Sequence, residues 1–327
     1  MKIAVDAMGG DHAPEEVVKG AIVAAKELNV EILLVGDQVK IEHELAKHHA
    51  KNDPSISIVH ASQVVAMGES PVSAIKTKKD SSINVGLNLV KEGKAEGFVS
   101  AGNTGAVMSS ATLNWGRIKD IERPAIAVVW PSKKGHIVLL DVGANAECKP
   151  KHILQFAYLG SIFSEQVLHT KSPKVGLLSI GEEEEKGNTL VAETLPLLKA
   201  SQLNFVGNVE SKDIFGGEVD VFVCDGFVGN MLLKFAEGIL DFMYGLIKGE
   251  IKKNWLAMLG ALLLKPVFKS IQKKTDYDEC GGALLLGVKG ICVISHGRSK
   301  AKAIKNAIKV AKESVEANIL GKFAEIG

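Results

Sequence analysis

The stretch "VDAMGGDHAPEEVVKGAIVAA", Val5 to Ala25, decides how the chain begins to fold. A strand-like run, Lys2–Val5, enters a glycine turn. Pro14 followed by Glu15 and Glu16 then starts a helix, because proline suits the first helical position and acids suit the first turn. Strand, glycine turn and helix open a βαβ unit. A dinucleotide-binding turn carries G-x-G-x-x-G at this point. Here the turn holds Asp6, Asp11 and His12 instead, so its ligand is of another kind.

Outward from this unit the same rhythm continues. Strand candidates are 2–5, 31–35, 56–59, 97–100, 126–129, 137–140, 175–180, 204–206, 219–224 and 291–294, with amphipathic stretches between them. Several are continuous apolar runs, as strands covered on both faces require. Near the end, Ala303, Ile304, Ala307, Ile308, Ala311 and Val315 form one helical stripe over about 300–320. The pattern predicts an α/β fold, a Rossmann-like sandwich with a mainly parallel sheet. No repeat or Pro/Ser-rich linker divides the chain, so residues 1–327 read as a single catalytic domain.

Composition bounds the function. The 327 residues are 46% apolar and 24% charged, with a formal net charge of +1. Nucleic acid as main partner is disfavoured, since phosphate neutralisation needs a basic excess. Four scattered cysteines without C-x-x-C indicate neither a disulfide framework nor a zinc site, and place the protein in a reducing compartment. The first apolar stretch is too short for a signal peptide, and no run of about 20 apolar residues spans a membrane. The expected location is cytoplasmic.

The loops after the strands share one vocabulary: "AGNTGAV", "DVGANAE", "GEEEEKGN", "GNVESKD" and "DGFVGN". Glycine admits close backbone approach, asparagine and threonine offer neutral donors, and helix N-termini attract anions. Five such loops on one sheet edge predict a cradle for a small oxyanion. Asn103, Thr104, Gly105, Asn145, Asn188 and Asn230 are its candidate phosphate ligands, and Asn208 and Glu210 line the pocket. Each loop taken singly also reads as a tight turn with a capping asparagine. Lys186 is the candidate cation for developing negative charge, against the alternative of a solvated lysine beside Glu182–Glu185. Asp6 and Asp11 near His12 allow a carboxylate-oriented acid or base, or Asp11 simply caps the first helix. Asp225 flanks a further glycine turn in the same manner. Lys186, Asp225 and His12 are the candidate catalytic residues.

Walker, nucleophile-elbow and H-E-x-x-H motifs are missing. His48 and Asp53 match an H-x-x-x-x-D spacing, but they lie in a polar, lysine-rich helix end before Pro54 and read as chance. Without an activated Ser or Cys, group transfer proceeds by direct attack on a bound acceptor. No metal or cofactor is expected.

Taken together, "MKIAVDAMGGDHAPEEVVKGA", "SAGNTGAVM", "GRIKDIERPAIA", "LLDVGAN", "VGLLSIGEEEEKGN", "FVGNVE", "DGFVGN" and "YDECGGALLLG" resemble the bacterial phosphate acyltransferase (PlsX) family over essentially the whole chain. The polar loop "PSKKGH" after Trp130 is a local departure. The resemblance implies acyl transfer from acyl-acyl carrier protein to inorganic phosphate, giving acyl-phosphate for a downstream membrane glycerol-3-phosphate acyltransferase in phospholipid synthesis. It also implies a homodimer and a fold similar to phosphotransacetylase and isocitrate dehydrogenase-like enzymes. The alternatives are a phosphotransacetylase-like enzyme using a coenzyme A thioester, and a membrane-associated scaffold with a vestigial pocket.

Residues 248–274 break the rhythm. Seven lysines against one glutamate give a local +6 around the apolar block Trp255–Leu264. The block is too short to span and too apolar for an exposed helix. With Pro266 breaking or turning the helix, the segment is expected to form a projecting helical hairpin. Trp255, Leu256, Leu259, Leu262 and Leu263 would contact an anionic membrane peripherally, or be buried in a dimer interface.

Overall fold

In a computed structural model, residues 1–275 and 281–326 are described. The sequence block 276–280, which includes Cys280 and part of the "YDECGGALLLG" motif, lies outside them.

Among the described residues, eleven strands form one sheet in the order β3-β2-β1-β4-β11-β10-β5-β6-β9-β7-β8. In chain order they are β1 Lys2–Asp6, β2 Glu31–Gly36, β3 Ile56–His60, β4 Gly97–Ser100, β5 Ala125–Ser132, β6 Gly135–Leu140, β7 Lys174–Leu178, β8 Asn204–Val209, β9 Val221–Val223, β10 Ala283–Leu286 and β11 Ile291–Ile294. Alternate residues feed two cores. Ile3 and Val5 of β1 join one, while Ala4 and Phe98 join the other. That double coverage is why the strands lack polar alternation.

The helices are α1 Glu15–Leu28, α2 Gln38–Lys47, α3 Pro71–Thr77, α4 Ser82–Lys91, α5 Thr104–Trp115, α6 Pro150–Gln166, α7 Thr189–Lys199, α8 Gly226–Lys252, α9 Trp255–Leu263, α10 Lys265–Thr275, α11 Ala301–Glu316 and α12 Ile319–Phe323. α1 and α11 pack so closely that a Cβ on Gly20 would stand 2.6 Å from the Ala301 carbonyl oxygen. The terminal helix is divided, because Asn318 adopts left-handed backbone at φ 48°.

The expected mainly parallel sheet is present, with one addition. β10 is not among the strand candidates of the sequence; its four residues sit between Gly282 and Gly287. Its pairing is antiparallel to both β11 and β5, and β5 is antiparallel to β6. These central strands divide the sheet into two parallel lobes of opposite polarity. The five glycine loops therefore do not share one edge, as the sequence reading had it. The loop after β4 belongs to the N-terminal lobe, and those after β6, β7, β8 and β9 to the C-terminal lobe.

Opposite polarity would keep the two sets of loops apart on a flat sheet. β4 and β9 are five steps apart, and a twist of about 20–25° per step turns one against the other by roughly 100–125°. α8 closes the remaining gap. It starts at Asp225, beyond β9, and brings Lys234 Nζ to 3.4 Å from His296 Nε2, beyond β11.

Past Glu237 the helix leaves the body, and all of 241–250 is exposed. α9 and α10 follow α8 in this segment, and the helix break falls elsewhere than at the expected Pro266. The turn falls at Lys253–Asn254, where the Asn254 side chain caps α9, and a single residue, Leu264, separates α9 from α10. Pro266 is accommodated inside the first turn of α10, where its missing N–H has no intrahelical partner to lose. Among the described residues no helix is long and apolar enough to cross a membrane.

Candidate active site

The N-terminal half is organised by Asp6 at the end of β1. Its carboxylate is buried and accepts from Ser100 Oγ at 2.7 Å and from Met8 N at 3.1 Å. Burial pushes its pKa up, and these hydrogen bonds oppose the rise. Gly9 is required here, since a Cβ would lie 2.7 Å from Gly102 N. Asp6 therefore ties two glycine loops together and offers no open face to a ligand.

Asp11 does not cap α1. Pro14 occupies that position, and no side chain closes the helix end. Asp11 sits three residues earlier, its backbone N–H bound to Gly297 O at 2.7 Å and its carboxylate exposed beside Gly297. His12 is exposed on the same turn. Asn103 caps α5 by accepting from Ala106 N, and its amide donates to Met67 O at 2.9 Å and Glu69 O at 3.1 Å. The capping alternative holds for its side chain, whereas Thr104 beside it is exposed.

Asp141, at the end of β6, plays the part of Asp6 in the other half. Its buried carboxylate accepts from Ile126 N, Gly143 N, Ala144 N and Asn145 N, and from Asn145 Nδ2 at 2.9 Å. Asn145 is consumed in this cluster, donating also to Pro124 O at 2.7 Å. Asp225 caps α8, with Oδ1 accepting from Phe227 N and Val228 N. Asn188 caps α7 through Val191 N. Asn230 is exposed on α8, facing Gly143 across the loop.

Lys186 is exposed, and no acid among the described residues pairs with its ammonium. Asn208 is buried beneath its loop and donates to Glu183 O at 3.0 Å. Glu210 engages Lys212. With Glu182 and Asp213 it makes a three-acid group, which the Lys212 ammonium already partly neutralises.

A cavity of about 420 Å³ opens among these C-terminal elements. Ile153, Leu177, Leu190, Val228 and Leu232 make its wall apolar, and Ser179, Asn188, Ser211 and Asp225 supply polar groups. The arrangement suits an apolar chain next to a polar reacting end.

The structure thus gathers Asp225, Asn188 and Asn230 on one side, and Asp11 and His12 on the other. Asp6, Asn103 and Asn145 form the scaffold beneath. Sequence reasoning missed Asp141, Lys234 and Glu237. The "D-x-G-A-N" spelling of Asp141 parallels Asp6 and was a usable signal. Lys234 and Glu237 carried none beyond their spacing from Asn230.

The fold is an α/β sandwich similar to that of phosphotransacetylases. A phosphotransacetylase from Streptococcus pyogenes superposes with a TM-score of 0.64 over 97% of this chain and 94% of that one, at 18% identity. The EutD phosphotransacetylase from Staphylococcus aureus gives 0.61, covering 96% and 94%, at 16% identity. The chain itself belongs to the fatty acid synthesis protein family, whose sequence model matches residues 1–322. Curated relatives named phosphate acyltransferase are 53% identical: one from Heliobacterium modesticaldum over 99% of this chain and 97% of its own, and one from Aquifex aeolicus over 96% and 93%.

Proposed function

We propose that the protein transfers a fatty acyl group from acyl-acyl carrier protein to inorganic phosphate, forming acyl-phosphate for phospholipid synthesis. The apolar cavity that ends on Asn188 and Asp225 carries this reading. An acyl chain fits against its apolar wall with the thioester beside helix N-termini, whose N–H groups stabilise a developing oxyanion. A phosphate oxygen attacks the thioester carbonyl carbon. The C–O bond forms, the C–S bond breaks, and the carrier sulfur leaves with the proton that phosphate gives up.

No enzyme nucleophile is needed, and the nearby cysteines are poor ones. Burial pushes the Cys148 thiol up to about 12, and burial raises Cys224 well above its ordinary value. In this reading Lys186 neutralises charge, and Asp225 and His12 handle protons. Asn230 and the backbone at Thr104–Gly105 hold phosphate. The whole chain acts as one catalytic unit, with 248–274 as its projection.

The same reading makes the protein a cytoplasmic homodimer that touches the membrane through its hairpin, releasing an apolar product beside a membrane glycerol-3-phosphate acyltransferase. The test is release of free carrier protein from acyl-acyl carrier protein with and without phosphate, and with acyl-coenzyme A as competing donor. Strict phosphate dependence with the carrier-protein donor is expected. Turnover with the coenzyme A thioester alone would overturn the carrier-protein assignment.

A further inference from the structure

A second surface borders the cavity, and the acyl transfer described above does not use it. Residues 116–123 form a loop strapped to the turn between β10 and β11. Lys289 N donates to Gly116 O at 3.1 Å and Ile118 N to Gly287 O at 3.0 Å, and Arg117 pairs with Val288. The other side of the loop is pinned to α6. Glu122 N donates to Gln155 Oε1 at 3.0 Å, Gln155 Nε2 to Asp120 O at 2.6 Å, and His152 Nε2 lies 3.1 Å from Glu122 Oε2. Ile118 and Ile121 are buried beneath it. The loop is therefore a fixed ledge, with little ordering left for a partner to impose.

The ledge is basic. Arg117, Lys119, Arg123, Lys149, Lys151 and Lys289 are all exposed along it, against the acids Asp120, Glu122 and Glu147. Six cations against three acids leave a local +3 in a chain whose total is +1. Lys151 is paired with Glu122 at 2.7 Å, and Lys119 stands 3.9 Å from Asp120. Arg123, Lys149 and Lys289 pair with no acid among the described residues. None of the exposed large apolar side chains lies at 116–123, 143–151 or 287–290. A lipid-inserting or permanent interface needs such residues, so the ledge suits a transient partner recognised through charge.

The ledge also adjoins the reacting end of the cavity. Pro124 O, next to Arg123, accepts from Asn145 Nδ2 at 2.7 Å, and Gly226 N donates to Asn145 O at 2.7 Å. Asp225, just before Gly226, lines the cavity, as does Ile153, about one helical turn beyond Lys149. We propose that this ledge is the docking surface for an acidic face of the carrier protein that delivers the acyl group. This rests on the phosphate acyltransferase reading above. Opposite charge draws the carrier protein to the ledge and raises its encounter rate, and the acyl chain then enters the adjoining cavity.

The experiment measures binding of holo-acyl carrier protein by calorimetry to wild type and to Lys119→Glu/Lys149→Glu/Lys289→Glu. A control of equal charge, Lys26→Glu/Lys40→Glu/Lys51→Glu, reverses three exposed lysines on and just after α1 and α2. KM for acyl-acyl carrier protein and KM for phosphate are then measured separately. At about 0.05 M salt the ledge variant should bind the carrier protein ~10-fold or more weakly. The gap should close toward about 1 M salt, where the screening length falls to about 3 Å. The acyl-donor KM should rise in step, with the phosphate KM within about twofold of wild type. The control should behave as wild type. Equal binding by wild type and ledge variant overturns the proposal, as does an equal loss in the control or a wild type that binds no carrier protein. Lost binding to anionic vesicles with carrier-protein binding retained would make the ledge a membrane surface instead. If the ledge variant does not fold, Lys119→Gln/Lys149→Gln/Lys289→Gln carries the same comparison. Carrier-protein binding that depends on the ledge in a wild type without phosphate-dependent turnover supports the surface while defeating the functional reading.

Discussion

At the scale of single residues, the acids divide by burial. Asp6 and Asp141 are enclosed hubs, whereas Asp11 and Asp225 retain open faces toward the cleft. The exposed Lys186 has no paired acid among the described residues, so its removal should leave the fold intact and act on chemistry. Lys186→Ala is expected to lower kcat/KM by roughly 10²-fold or more, the scale for losing one electrostatic group that meets developing charge. Near-wild-type kinetics in the purified variant would remove it from the mechanism. His296 supplies a pH signature. Its depressed pKa means that the unfolded chain takes up a proton below its ordinary value of 6.5 that the fold resists, so its contribution to stability is lost as pH falls from 6.5 toward the folded value. Melting curves from about pH 7.5 to about pH 5.5 should fall more steeply for wild type than for His296→Asn. Parallel curves would contradict this.

At the scale of elements, α8 does three things along about 40 Å of length, given 27 residues at ~1.5 Å each. Its first turn docks on the Asp141 loop so closely that a Cβ on Gly229 would collide with the Asp141 carbonyl. Gly229→Ala should therefore displace the helix and cost ~3 kcal/mol or more in denaturant unfolding, opposite in sign to the gain of about 1 kcal/mol that a Gly-to-Ala change usually brings within a helix. Its middle presents Asn230 and Lys234. Its end leads into α9 and the following residue, where Trp255, Leu256, Leu262 and Leu263 are all exposed, Leu263 at 83%. Lysines 248, 252, 253, 265 and 269 flank that tip. Each lysine near an anionic surface contributes about 1 kcal/mol, and the apolar tip adds its own burial. Leu259→Glu/Leu263→Glu should lose co-sedimentation with anionic vesicles while wild type retains it. Equal binding by both would assign the tip to another role.

At the scale of the whole molecule, one face of α8 is unaccounted for in a single chain. Phe227, Met231, Phe235 and Phe242 recur at helical spacing and are exposed, Phe235 at 70%. A monomer rarely leaves so long an apolar stripe in water. A second copy pairing α8 with α8 would cover it and would also brace the face carrying Lys234. Light scattering should show a dimer for wild type and a shift toward monomer for Phe235→Glu/Phe242→Glu. A monomeric wild type at micromolar concentration would contradict the pairing.

The sequence alone determined the βαβ rhythm, most strand positions and the glycine-loop vocabulary, because these depend on apolar periodicity and on backbone freedom local to a few residues. It showed the basic, apolar projection for the same reason. Only the tertiary structure decided that β10 is a strand, since four apolar residues between glycines gain ladder bonds only from β5 and β11. The same central pairing split the expected single edge into two facing halves. It also separated the asparagines that cap helices, Asn103 and Asn188, from Asn230, which is exposed beside the Asp141 loop. Lys234, Glu237 and His296 became a cluster only through the sheet's twist and the reach of α8. Residues 62 positions apart meet there, and no local pattern records a contact made across the molecule.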